Sequence, residues 1–161
     1  MPQNGMPGDA LARRHRRCAS ILADLLLFVA EEETTLTRAD AIREMDRLVQ
    51  GVLDEVRAAE QTVLDALAGT ERRRPAARLL SGRLDRLQRA GIHVGAAVRA
   101  GNVPLLRRTM TRFDALARAA CAVQLDVYGS AITADRRARR ADNLRGSAAS
   151  ALRQAGPAAP Y

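Results

Sequence analysis

The sequence feature that most constrains this chain is an apolar stripe in residues 37 to 68. Its members recur at alternating spacings of three and four residues: Ile42, Met45, Val49, Val52, Val56, Ala59, Val63 and Ala66. This heptad spacing places them on one face of a long helix, and such a face must be buried against other helices. The stripe holds no catalytic side chain, so it predicts a helix-packing protein before it indicates any chemistry.

Three further stretches repeat this spacing, which predicts an all-α, antiparallel four-helix bundle. Helix 1 is expected to begin at Asp9 and reach about Glu33, and helix 2 to begin after Thr37 and end at Gly69. Pro75 and Pro104 suit the first turns of helices 3 and 4. We therefore divide the chain into a disordered lead (residues 1–8), a bundle (9–134) and a basic, partly helical C-terminal arm with a Pro/Ala-rich tail (135–161).

Charge is distributed unevenly along the chain. The 26 basic residues are all arginine, and with 18 acidic residues they give a net charge of +8. Residues 24–65 carry eleven acids against four arginines, whereas residues 66–161 carry eighteen arginines against six acids. Either these faces neighbour one another within the bundle, or the arm from Arg136 to Arg153 meets an acidic partner, nucleic acid or an anionic membrane.

The sequence holds no strong catalytic motif, and neither an enzyme nor a cofactor is predicted. His15 and Cys18 share a helix face, but two candidate ligands fall short of the four that a structural zinc site requires. Cys18 and Cys121 both lie in helical patterns beside alanine, so we interpret them as small buried hydrophobic residues in a reducing compartment. A disulfide between them is a second interpretation that the spacing leaves open.

Four arginines precede an apolar run from Cys18 to Ala30, which raises the question of export. Asp24 interrupts that run and Glu31 to Glu33 follow it, a pattern unlike a signal peptide. The run is also too short to span a bilayer. We therefore expect a cytoplasmic protein without a membrane span.

Gly91 and Gly95 lie one turn apart in the middle of helix 3. Each mid-helix glycine costs on the order of 1 kcal/mol relative to alanine, so a close approach of another element is expected to compensate. That element is either a neighbouring helix of the same bundle or a helix of a partner that docks in a smooth groove.

The order of features resembles the FlgN-type flagellar export chaperones over residues 20 to 135. The resemblance lies in Leu25 to Leu27 followed by Glu31 to Glu33 and Leu36, then a long heptad helix, an arginine-rich turn, and a fourth helix that ends in Val127, Tyr128 and Gly129. It implies a small cytoplasmic helical bundle that holds hook-associated subunits before export. It also implies that Tyr128, Gly129 and the arm lie in the partner-binding region.

We thus expect a non-enzymatic protein-interaction module, with a flagellar export chaperone as its most specific form. The alternative is a nucleic-acid-associated protein whose arginine-rich arm contacts phosphates. Oligomeric state is left open. The candidate partner-binding residues are Gly91, Gly95, Val123, Val127, Tyr128, Gly129, Arg136, Arg137, Arg139 and Arg140.

Overall fold

The computed structural model describes residues 6–30 and 37–154, and within them every regular element is a helix. The four helices are α1 (Pro7–Ala30), α2 (Arg38–Ala66), α3 (Arg73–Ala100) and α4 (Val103–Gln154). Each helix packs on its neighbour in the chain, α4 also packs on α1, and α2 contacts α4 across the bundle. The predicted all-α four-helix bundle is confirmed.

The turns show why the helices begin and end where they do. Thr37 accepts a hydrogen bond from the backbone N–H of Asp40 (3.2 Å) and caps the N-terminus of α2, as expected from the sequence. Gly101 closes α3 in the left-handed conformation at φ 64°. The Asn102 side chain then accepts a hydrogen bond from the backbone N–H of Leu105 (3.0 Å) at the start of α4. Gly101 and Asn102 thus reverse the chain between α3 and α4.

The predicted stripe of α2 forms the centre of the core. Its members from Met45 to Val63 are buried, whereas Ile42 is half-buried and Ala66 is exposed. Around this stripe α1 contributes Cys18, Leu22 and Leu25, and α4 contributes Phe113, which is fully buried. A second apolar cluster occupies the end of the bundle near the α2–α3 turn and comprises Leu11, Ala59, Val63, Leu67, Ala76 and Leu80.

Two predicted boundaries differ from the structure. Helix α1 begins at Pro7, so the lead expected over residues 1–8 already includes the first residues of α1, and Gly8 lies against the Tyr128 ring. Helix α2 ends at Ala66, three residues before Gly69, because after its cap Leu67 the backbone tightens and the Ala68 N–H donates to the Asp65 oxygen, three residues back (3.1 Å). Gly69 instead occupies the turn at φ 76°. The expected end of helix 1, residues 31–33, lies outside the described residues, as do residues 1–5 and 155–161.

Helix α4 runs past the bundle without interruption. Gly129 lies inside it, although the heptad pattern weakens there and the sequence suggested a change of structure. Ala131 is the last residue of α4 that packs on an apolar cluster. Residues 135–151 are all exposed, so the expected boundary between bundle and arm marks a loss of packing within one continuous helix.

Candidate partner-binding groove and C-terminal arm

The arm is a solvent-exposed continuation of α4. Its arginines at 136, 137, 139 and 140 project from one side of the helix, within about 160° of arc at about 100° per residue. Arg139 is paired with Asp135 at 3.0 Å, one turn earlier. The arm thus carries its basic face on a stretch of α4 that makes no packing contact with the bundle.

A groove lies where the arm leaves the bundle, between the start of α3 and the middle of α4. We call it the arm-root groove. Leu79, which is 46% exposed, lines one part of it, and Leu125, which is 51% exposed, lines the other; the two parts share Arg72, Asp126 and Ser130. The guanidinium of Arg72 donates to the backbone oxygen of Ser130 (3.2 Å) and ties the two helices together at its centre. The lining residues are Leu67, Arg72, Pro75, Ala76, Leu79, Leu125, Asp126, Val127, Gly129, Ser130, Thr133, Ala134 and Arg137.

Three of the sequence-predicted partner residues belong to this groove. Val127, Gly129 and Arg137 line it. Arg136, Arg139 and Arg140 are exposed on the arm beyond it. Val123 and Tyr128 are half-buried and pack inward on the second apolar cluster, so their side chains belong mainly to the bundle.

Gly91 and Gly95 are not part of an open groove, and we remove them from the candidate surface. A Cβ atom on Gly91 would lie 3.0 Å from Val49 Cγ1 and 3.4 Å from Phe113 Cε2, both inside the core. The same atom on Gly95 would lie 2.8 Å from Arg99 Nη1, and Arg99 is paired with Asp46 at 2.7 Å. The close approach predicted for these glycines is found at Gly91, where other helices of the bundle supply it, whereas at Gly95 the nearest atom is the exposed side-chain end of Arg99 on the same helix.

A second basic feature lies between α3 and α4, nearer the centre of the bundle. Arg86, Arg89 and His93 of α3 converge with Arg112 of α4 on a depression whose floor is Ala90 and Leu116. Sequence reasoning missed this cluster. The spacing of Arg86, Arg89 and His93 at three and four residues was the available signal, because it places all three on one helix face.

A polar cluster is built into the apolar core where α1 meets α4. His15 Nε2 lies 2.7 Å from Gln124 Oε1, and Gln124 Nε2 donates to the backbone oxygen of Val56 (2.9 Å). Since an amide oxygen only accepts hydrogen bonds, His15 must carry its proton on Nε2. Burial on its own would lower the pKa of His15, but hydrogen bonds to Cys121 and Gln124 outweigh it and raise that pKa.

Cys18 and Cys121 lie beside this histidine as free thiols. The hydrogen bond to Cys121, together with burial, raises the pKa of Cys18. The same hydrogen bond lowers the pKa of Cys121, and although burial opposes that shift, His15 and Arg118 reinforce it. The expectation that these residues are small buried hydrophobes holds for Cys18 but omits their mutual contact.

The described part of the chain shows neither a cluster of metal ligands nor a membrane-spanning helix. No group of three or more His, Cys, Asp or Glu side chains there is arranged to hold a metal ion, so His15 and Cys18 lack further ligands. Among the described helices, none combines the length and the apolar character needed to cross a bilayer.

Comparison with protein-family models, with curated proteins and with solved structures finds no significant match. We therefore infer function from the geometry of the groove, the arm and the buried clusters.

Proposed function

We propose that this protein is a non-enzymatic protein-interaction module that binds an amphipathic helix of a partner in the arm-root groove. The observation that carries the proposal is the pair of half-exposed leucines, Leu79 and Leu125, at the point where α4 leaves the bundle. Helix-in-groove recognition uses an apolar floor with polar flanks of this kind. The uninterrupted arm extends the same surface by about five helical turns.

The apolar and charged residues that line the groove determine which kind of partner helix complements it. Leu79, Val127 and Pro75 provide apolar contact area, whereas Arg72 and Arg137 add positive charge to the lining. Asp126 is the acidic residue of the lining, and the arm adds further positive charge. A partner helix with an apolar stripe and acidic flanks would complement this surface and be steered to it by charge.

The more specific proposal is a cytoplasmic flagellar export chaperone whose client is a hook-associated subunit. Its support is the resemblance of residues 20–135 to the FlgN-type chaperones, together with the position of Val127 and Gly129 in the groove. A client that presents an amphipathic helix is the class of ligand that the groove fits.

Capture experiments test both levels of the proposal. The full chain, a Leu79→Asp/Leu125→Asp variant and a chain ending at Ala134 are used to capture proteins from the source cell, and a partner retained by the full chain is purified. We expect the groove variant to weaken affinity for that partner roughly tenfold or more, because both leucines lose their apolar contacts. Truncation after Ala134 should weaken it while the bundle stays folded, since Ala131 is the last packed residue.

Ile92→Asp is the matched control, because Ile92 is an apolar residue of α3 that is 70% exposed and lies outside the groove. It should bind as the unmodified chain does. Equal affinity of all four chains for every captured protein would contradict the interaction surface. Partners without a hook-associated subunit would overturn the chaperone proposal alone.

A second candidate function is nucleic-acid binding through the basic face of the arm. Four arginines project from one side of the exposed arm of α4. Arg86 and Arg89 of α3 and Arg112 of α4 add a basic cluster nearer the centre of the bundle. Contacts to phosphates need positive charge and no aromatic platform.

Duplex DNA binding is measured by fluorescence anisotropy at two salt concentrations. If four phosphates are neutralised, affinity should fall about 100-fold between about 50 and about 200 mM salt through counterion release. Replacing Arg136, Arg137, Arg139 and Arg140 by Ser should remove most of that dependence. Absence of binding by the unmodified chain at low salt would eliminate this candidate.

A further inference from the structure

The two cysteines face each other because of the register between α1 and α4. These helices run antiparallel, and the hydrogen bond from His15 to Gln124 (2.7 Å) fixes which residues are opposite. Cys18 lies one turn after His15, and Cys121 lies one turn before Gln124, so the same register brings the two thiols together. Cys18 belongs to the central apolar cluster and Cys121 packs against the same cluster, in agreement with this placement.

The environments of the two sulfurs differ. Cys18 is 1% exposed and belongs to the central apolar core, whereas Cys121 is partly exposed at the edge of that core. Arg118 lies one turn from Cys121 on α4, and His15 contacts it from α1. The acidic group facing the pair is Glu55 of α2, which is itself paired with Arg14 at 3.2 Å.

These surroundings favour the thiolate on Cys121. The hydrogen bond from Cys18 lowers the pKa of Cys121, with His15 and Arg118 adding to the effect against burial. The hydrogen bond to Cys121 and burial raise the pKa of Cys18. One sulfur is therefore accessible and activated, and the other is shielded and protonated. That division of roles is the one required of an attacking and a resolving cysteine.

We propose that Cys121 and Cys18 form a redox-active pair that closes to a disulfide between α4 and α1 when the protein meets a low-molecular-weight disulfide such as oxidised glutathione. In the first step the Cys121 thiolate attacks one sulfur of oxidised glutathione. A mixed disulfide forms and one glutathione thiolate leaves. In the second step Cys18 gives up its proton and its sulfur attacks Cys121 Sγ. The second glutathione thiolate then leaves, and the protein has lost two electrons to the glutathione disulfide.

Closure of this pair changes how the bundle is held. It links residues that are about 100 positions apart in sequence, and in the chain-entropy account a loop of that size gives one of the larger disulfide stabilisations. Helices α1 and α4 would then be tethered across their shared face. The oxidised bundle should resist unfolding at temperatures where the reduced bundle opens.

The test uses the full chain, first reduced and then equilibrated in glutathione buffers of increasing oxidised fraction. We expect an intact mass lower by two hydrogen atoms, a single peptide pair linked through Cys18 and Cys121, and a monomer on non-reducing gels. The thermal midpoint should rise by on the order of 10 °C. Retention of two free thiols in fully oxidised glutathione, or exclusively intermolecular cross-links, would overturn the proposal.

Two variants, neither of which can form the disulfide, test which cysteine attacks oxidised glutathione and which resolves the mixed disulfide. Cys18→Ser should trap one glutathione on Cys121, whereas Cys121→Ser should leave Cys18 unmodified, with circular dichroism confirming that both fold. In Cys18→Ser, which keeps an O–H donor beside Cys121 and retains His15 and Arg118, alkylation of Cys121 by iodoacetamide should remain fast at pH 7 and decline only below it. An ordinary thiol instead loses about tenfold per pH unit below about 8.5. Faster modification of Cys18 than of Cys121 would contradict the assignment.

Discussion

Replacing Phe113 with alanine is expected to lower the free energy of unfolding by about 3 to 5 kcal/mol. Phe113 is fully buried and is the largest of the fully buried side chains in the described core. Its ring edge lies against the glycine at position 91, which has no side chain with which to refill the space. Both the lost burial and the residual cavity therefore contribute to the cost.

Thermal or urea unfolding followed by circular dichroism measures the loss. The thermal midpoint should fall by on the order of 10 °C for a chain of this size. Ile92→Ala is the matched control, since Ile92 is a large apolar residue that is mostly exposed, and it should change stability by less than about 0.5 kcal/mol. Equal small shifts for the two variants would show that α4 does not present Phe113 to the core.

The Gln124→Ala change is expected to cost about 2 to 4 kcal/mol, because it removes buried hydrogen bonds and also leaves a cavity. Gln124 is 1% exposed and is the one polar side chain that is fully buried in the described part of the bundle. Its amide joins His15 of α1 to the backbone of Val56 in α2. Truncation leaves the His15 N–H without its acceptor in a half-buried site.

Gln61→Ala is the matched control, because it makes the same substitution at an exposed position. Gln61 is exposed on α2 and donates to Asp65 one turn later (2.7 Å), so its loss should cost no more than about 0.5 kcal/mol. The difference between the two glutamine variants, measured by urea unfolding, reports the contribution of the buried amide. A Gln124→Ala variant as stable as Gln61→Ala would contradict the hydrogen-bond network.

Much of the architecture could be predicted because the buried apolar residues recur in the sequence at helical spacing. The apolar stripe is buried from Met45 to Val63, as its heptad spacing predicted. Thr37 caps the start of α2 and Gly101 closes α3, as the chemistry of these residues favours. The end of α2 could not be placed to the residue, because Leu67 closes the helix through backbone bonds before Gly69 is reached.

The site was harder to predict because it depends on which residues of different helices lie opposite one another. His15 and Gln124 both occupy seam positions that are otherwise apolar, and two such polar exceptions often satisfy each other. That signal was present, but the register that pairs Cys18 with Cys121 follows from the packing of all four helices. Gly91 shows the same difficulty, since a close approach was predictable and the identity of the approaching Val49 and Phe113 side chains was not.

The uninterrupted α4 helix has a consequence for how the arm is aimed. Its 52 residues span about 78 Å, and its first part is packed into the core while residues 135–151 are exposed. Because no turn separates the two parts, the angular position of every arginine on the arm is set by how Phe113 and Gln124 seat in the bundle. Inserting one residue near position 132 would swing the basic face by about 100° while leaving the core untouched. The packing of the core thus determines the direction in which the arm points.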